Sequence, residues 1–172
     1  MAPLKVATIA AATKEQLRRA SAAADALLRD ERGRGGADRL NTDFIDPNKA
    51  AVTDESPASI LYGVAALPAS GAGDYEAVNC DIEALMLAFV AANQSLSGAF
   101  WVMTESSAVS LSLMKNPLGQ SAFPGVTVTG GTLAGLPVFT SNYVDTDTNG
   151  AVVALVKGDE IFLGDEGGIT VS

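Results

Sequence analysis

A few groups of residues in this chain have the types and spacing to do chemistry. Asp145-x-Asp147-x-Asn149-Gly150 copies the first half of a calcium-binding loop, in which oxygen ligands at positions 1, 3 and 5 precede a glycine that allows a sharp turn. The second half departs from that pattern. Position 12, which should carry a bidentate glutamate, falls on Val156, inside the β-branched run Val152 to Val156. A tight hairpin uses Asp, Asn and Gly for its own geometry, so the segment reads as a turn and no metal ligand is assigned.

Ser112-Leu-Met-Lys115 has the Ser-x-x-Lys spacing with which a lysine can activate a serine hydroxyl. The companion Ser-Asp-Asn and Lys-Thr-Gly motifs are absent, and Ser110, Ser112 and Lys115 read together as a solvated helix surface. A small hydrolase using Ser112 and Lys115 remains the reading from a different functional class; a fluorophosphonate or β-lactam probe that labels nothing disposes of it. Gly130-Gly131 could bring backbone close to a phosphate, but neither a helix N-terminus nor a lysine follows, so the pair reads as a turn. The carboxylates Asp25 with Asp30, and Asp159 with Glu160 and Glu166, have no partner chemistry beside them and read as solvated surface.

The chain has no histidine and one cysteine, Cys80. That removes Ser-His-Asp and Cys-His nucleophile systems, an internal disulfide and a Cys/His zinc cluster. Cys80 falls within a helical pattern and is expected to be a buried packing residue in a reducing cytoplasm. No catalytic, cofactor-binding or metal-binding residue is assigned, and no cofactor is expected.

Composition bounds the rest. With 172 residues, 48% hydrophobic and 18% charged, the chain can bury one good core, as one domain or one plus an extension. Its 20 acidic against 11 basic residues give a net charge of −9, which repels phosphate backbones, and no basic cluster is interleaved with aromatics as a nucleic-acid face requires. The opening Met1-Ala-Pro-Leu-Lys5 lacks the apolar core of a signal peptide, and no run approaches the ~18 apolar residues of a membrane span.

The elements that must position these residues follow from periodicity and punctuation. Thr13-Lys-Glu-Gln16 is a capping box that opens an alanine-rich helix through Asp30, with Leu17, Ala20, Ala24, Leu27 and Leu28 on one stripe. Gly33, Gly35 and Gly36 each cost up to about 1 kcal/mol in a helix interior, so the helix is expected to end or fray there. From Pro47 to Gly73 the text is rich in Pro, Ser, Ala and Gly around the apolar island Ile60-Leu-Tyr62, and it reads as a hinge of loop with one strand at most. Asp74 caps a helix carrying the stripe Val78, Ile82, Leu85, Met86, Phe89 and Val90, ending near Asn93.

Phe100-Trp-Val-Met103 then reads as a buried strand, and Thr104 caps a helix through about Met114 that Asn116-Pro-Leu-Gly119 stops. Trp101, the one tryptophan, is expected to anchor the core beneath Phe89 and Met86. Strands are expected at Val126 to Thr129, Leu136 to Thr140, Val152 to Val156, Ile161 to Leu163 and Ile169 to Val171. Pro137 lacks an N–H for a sheet ladder, which places Leu136 to Thr140 at a sheet edge, leaving a turn. Helices, then a strand, a helix and strands give an α+β layout.

Several short blocks in order carry a resemblance: Phe44-Ile-Asp-Pro47, Ser56-Pro-Ala-Ser-Ile60 with Gly63, Phe100-Trp-Val-Met103, Leu133-Ala-Gly-Leu-Pro-Val-Phe139, Val152-Val-Ala-Leu-Val156 and Ile161-Phe-Leu-Gly-Asp-Glu-Gly-Gly-Ile169. From about Thr13 to Ser172 the chain resembles the Hong Kong 97-like major capsid proteins of tailed bacteriophages and prophages. The resemblance implies a spine helix and a peripheral-domain-like part with a hinge over residues 1–60. It also implies an axial domain of mixed sheet and flanking helices over 61–156, and strands returning toward the peripheral domain over 157–172.

In function it implies a structural head subunit that self-assembles with copies of itself into capsomers and an icosahedral shell around DNA, with other phage head proteins as further partners. Such a subunit is made in the host cytoplasm, ends in the virion capsid and carries no catalysis. An encapsulin-like nanocompartment shell shares the fold and is told apart by a cargo-peptide groove and by gene neighbours. An N-terminal arm, an extended loop and terminal peripheral strands are expected of the family and not matched here, so the chain reads as a fragment. Some relatives cross-link an asparagine ahead of the Gly-Leu-Pro segment to a lysine on the extended loop; that place is Gly131 here, so cross-linking is not implied. The lack of a recognisable chemical site suits a protein that works through shape, hinge and strand edges.

Overall fold

A computed structural model of the chain describes residues 22–53, 56–144, 146–147 and 150–161, with side chains over 34–53, 56–144 and 152–161. The capping box at Thr13 and Gln16, the strands expected beyond Ile161, Glu166, and the ligand positions Asp145 and Asn149 lie outside the described residues. The chain divides into two units, Met1–Ala66 with Tyr143–Thr146, and Leu67–Asn142 with Asp147–Ser172.

In the first unit, helix α1 runs over Ala22–Ile45. It continues straight through Gly33, Gly35 and Gly36, contrary to the expected break. The glycine penalty is local and small, whereas the following turns are fastened at their far end. Ile60 N–H donates to the Phe44 carbonyl at 3.0 Å, and the Ser59 hydroxyl donates to the Asp46 carbonyl at 2.6 Å, so carbonyls that a helix end leaves open are met by the returning chain. Asp43, 7% exposed, takes the Lys49 ammonium at 2.8 Å and the Arg39 guanidinium Nε at 3.1 Å. The returning segment makes turns around Tyr62 and one isolated bridge, Val52 to Ser56, in place of a strand.

In the second unit, α2 spans Tyr75–Ala91 and α3 spans Glu105–Leu113. Both start where their caps predict: Asp74 Oδ1 accepts from Ala77 N–H at 2.8 Å, and Thr104 Oγ1 from Ser107 N–H at 3.2 Å. The strands are β1 (Ala99–Met103), β2 (Val126–Thr127), β3 (Gly130–Leu133) and β4 (Leu136–Thr140). β5 (Thr146–Asp147) and β6 (Gly150–Ala151) form a small separate pair, and β7 (Val153–Lys157) leads into a short 3-10 turn. The larger sheet has the order β2-β3-β4-β1-β7, with β1 parallel to β4 and the other neighbours antiparallel. The layout is α+β.

The sheet corrects two readings. Gly130 and Gly131 lie in β3, and the preceding turn falls on Val128 and Thr129. Both glycines have left-handed φ, 120° and 127°. A Cβ at Gly130 would stand 2.5 Å from the Val138 carbonyl oxygen, and one at Gly131 would collide with that of Gly125. A strand that must lie this close to its neighbours needs glycine. Pro137 is on β4, an inner strand, and not at an edge.

The register explains how Pro137 is tolerated. Leu133 opposes Leu136 across Ala134-Gly135, whose φ values of 51° and 81° mark a two-residue primed turn. Pairs alternate along such a ladder, so Thr132 opposite Pro137 exchanges no hydrogen bonds with it. Pro137 therefore aims its missing N–H toward β1, where the parallel register begins one residue later, at Val138 opposite Trp101.

The core lies between one sheet face and the two helices. Trp101 and Met103 are fully buried with Ala108, Phe123, Val126, Leu133 and Val138, and α2 contributes Tyr75, Val78, Ile82, Leu85 and Met86. Trp101 thus anchors the core under Met86 as expected, while Phe89 is not among the side chains packed there. On the opposite sheet face Phe100 meets Phe139 edge-on, ring centroids 5.3 Å apart and planes at 85°, with Phe139 still 56% exposed.

Candidate assembly surfaces

The sequence-derived catalytic candidates do not assemble into a site. The Ser112 hydroxyl donates to the Val109 carbonyl at 2.8 Å and Ser110 to the Ser106 carbonyl at 3.0 Å, so both hydroxyls are engaged with their own helix. Lys115 lies beyond the helix end, exposed, in a bridge with Ser121. Asp159 and Glu160 are exposed. Among the described residues, no group of three or more His, Cys, Asp or Glu side chains is placed to hold a metal ion. No helix there is long and apolar enough to cross a membrane.

What the structure presents instead is apolar surface. Helix α2 has no buried residue, although its only charged side chains are Glu76, Asp81 and Glu83. Its last eight residues, Ala84 to Ala91, carry no charge, and a helix segment that is apolar around its circumference is ordinarily enclosed on all sides. Here the sheet takes only one side. The exposed stripe Glu76, Cys80, Glu83, Leu87 and Val90 follows the four-three spacing of a single helix face, with Leu87 58% and Val90 53% exposed. Cys80 therefore points away from the core, contrary to the packing role expected of it. Its neighbours Val78 and Ile82 are half-buried because they sit on the sheet side.

Beside the stripe lies an open groove of about 490 Å³, lined by Ile82, Met86, Leu87, Val90 and Leu96, with Glu83 and Asn79 at its polar end. The turn after α3 carries the most exposed large apolar side chain of the described residues, Leu118 at 83%, close in sequence to Leu113 at 73%. The Asn116 side-chain oxygen accepts from Leu118 N–H and from Gln120 N–H, each at 3.0 Å, and Gly119 N–H donates to the Asn116 carbonyl at 2.9 Å. These bonds fix the backbone of the turn from which Leu118 projects. The sheet adds edges: β7 at one side and the two-residue β2 at the other.

In the first unit, Tyr143 donates its hydroxyl to the Asp38 carboxylate on α1. That hydrogen bond, with some desolvation and the charge of Asp38, raises the tyrosine above its ordinary value of 10.0. Val144 beside it is 3% exposed, so Tyr143 and Val144 are seated in that unit.

Comparison with known proteins decides the class. The phage capsid family model matches residues 1–172. The chain belongs to the phage capsid family. It is 54% identical over 170 residues to the capsid polyprotein of Pseudomonas phage PAJU2, which covers 99% of this chain and 25% of that protein. The capsid chain therefore spans about a quarter of the length of the curated relative it matches. No solved structure matches it. The exposed apolar surfaces of the described residues are a feature that the spacing of single residues could not reveal. The signal available in sequence was the placing of charge within α2: Glu76, Asp81 and Glu83 lie in its first half, and Ala84 to Ala91 carry none.

Proposed function

We propose that this chain is the shell-forming part of a tailed-phage or prophage capsid subunit with the Hong Kong 97-like fold, and that copies of it associate into capsomers of a DNA-enclosing head. The reading rests chiefly on α2: in a phage capsid family chain, a 17-residue helix without one buried residue, whose last eight residues carry no charge, is a surface waiting for a neighbour. Residues 1–60 supply the peripheral-like part with its spine helix α1. Residues 61–156 supply the axial part, and 157–172 return toward the peripheral strands. The division of the described chain into two units, with α1 in one and the five-stranded sheet in the other, supports that assignment. The chain is made in the bacterial cytoplasm and its final place is the virion.

The experiment is analytical ultracentrifugation of the full chain over a concentration series, with negative-stain microscopy of the heaviest fraction. Ring-shaped or sheet-like oligomers built of this chain are the expected result. A strictly monomeric chain at the highest soluble concentration would overturn the proposal.

A further inference from the structure

The α2 stripe and the turn after α3 are complementary in shape and in charge. The stripe is acidic from its start to its middle, with Glu76 and Glu83, and apolar at its C-terminal end, with Leu87 and Val90 over a groove. The turn offers a projecting apolar side chain, Leu118, three residues from an exposed lysine, Lys115, whose ammonium has no ion-pair partner among the described residues. We propose that Leu118 of one copy inserts into the α2 groove of the next, between Met86, Leu87 and Val90, while Lys115 meets Glu83. The inference rests on the capsid reading and deepens it by naming the two faces of one subunit contact.

Three observations favour this head-to-tail pairing. The backbone that carries Leu118 is already fixed by the Asn116 hydrogen bonds, so little backbone freedom is lost when it docks. A basic group beside an apolar knob fits an acidic group beside an apolar hole, which sets register as well as attraction. The alternative, α2 against α2 across a two-fold axis, is disfavoured by charge: the stripe from Glu76 to Val90 is centred on Glu83, so parallel or antiparallel pairing sets Glu83 against its own copy. Two different patches on one subunit form a heterologous contact, and repetition of a heterologous contact closes into a ring when the rotation permits.

The test uses the full chain in two variants, Leu87→Asp to close the groove and Leu118→Asp to remove the knob. Both positions are exposed, and circular dichroism checks that each variant folds. Each variant alone should be monomeric under conditions where the wild type associates, and an equimolar mixture should form a dimer and nothing larger, because one functional groove and one functional knob remain. Glu83→Lys and Lys115→Glu should each lose association, and the doubly reversed chain should recover it. If Leu118→Asp alone still dimerises and Leu87→Asp does not, the contact is α2 with α2 and the proposal falls. If wild type and both variants associate equally, this contact is wrong while the capsid reading stands. If the wild type never associates, the capsid reading and this contact fail together.

Discussion

The indole Nε1 of Trp101 donates to the Leu133 carbonyl at 3.1 Å, tying the centre of β1 to the far end of β3 across β4. Leu133 O is the last acceptor before the Ala134-Gly135 turn, so one bond fixes the hairpin tip to the middle of the sheet. Trp101 is fully buried, and an aromatic of its size removes about 150–250 Å² from water. Trp101→Ala should destabilise the chain by roughly 3–5 kcal/mol. Trp101→Phe should lose less, about 1–3 kcal/mol, through the lost indole hydrogen bond to the Leu133 carbonyl and the smaller buried ring. Urea denaturation measures both, and the wild-type emission should be blue-shifted and poorly quenched by acrylamide. Red-shifted, readily quenched emission with an unchanged midpoint for Trp101→Ala would refute the core assignment.

Asp43 separates a buried ion pair from an exposed one on the same carboxylate. Lys49 meets it with both side chains nearly enclosed, at 13% and 6% exposure, whereas Arg39 is 62% exposed. Asp43→Ala strands the Lys49 ammonium and should cost on the order of 3 kcal/mol in the first unit. Arg39→Ala should cost less than about 1 kcal/mol. Thermal melts followed by limited proteolysis near Lys49 compare them, and equal losses would show that burial does not govern this site.

Ala134 has a φ of 51° in a turn whose two central residues both need positive φ. Asn adopts that conformation more readily than Ala, so Ala134→Asn should raise stability by about 0.5–1 kcal/mol, or a few degrees in Tm. Gly135→Ala should lower it, because its φ of 81° is strained for any L side chain even though open space surrounds it. A destabilised Ala134→Asn would mean that the tip is held by something other than its turn type.

Tyr143 carries a pH dependence with a definite sign. Its folded value is raised above 10.0, so the stabilisation from its bond to Asp38 is fully present below the unfolded value and is lost as pH rises through the folded one. The ultraviolet titration of the tyrosines should contain one late phase, which Asp38→Asn returns toward the ordinary range. A Tyr143→Phe chain whose melting temperature falls at alkaline pH as steeply as the wild type's would contradict this.

The elements that announce themselves by local chemistry were legible in the sequence. Asp74 and Thr104 start their helices because a short side chain reaches the free N–H groups beyond it, and β4 occupies Leu136–Thr140 as its β-branched run implies. What could not be read depends on partners far along the chain. α1 survives its glycines because Ser59 and Ile60 return to its end. The Gly130-Gly131 pair is strand because Gly125 and Val138 crowd it. Pro137 sits inside the sheet because the hairpin parity turns it toward an unpaired position, and Cys80 differs from Val78 only in which side of α2 the sheet happens to take. The assembly surfaces were the least legible part, since an exposed apolar stripe and a buried one are written with the same residues.

The chain leaves the first unit after Ala66, returns for Tyr143–Thr146, and departs again at Asp147. Its bond from Tyr143 to Asp38 joins residues 105 positions apart. During synthesis, α1 and its returning turns emerge long before the segment that seats Val144, so the first unit stays open until β1 through β4 have been made. Contacts of such long sequence separation form late and slowly. The first unit therefore reaches its final packing only after β1 to β4 have been made, while β7, the last strand of the larger sheet, is still to come.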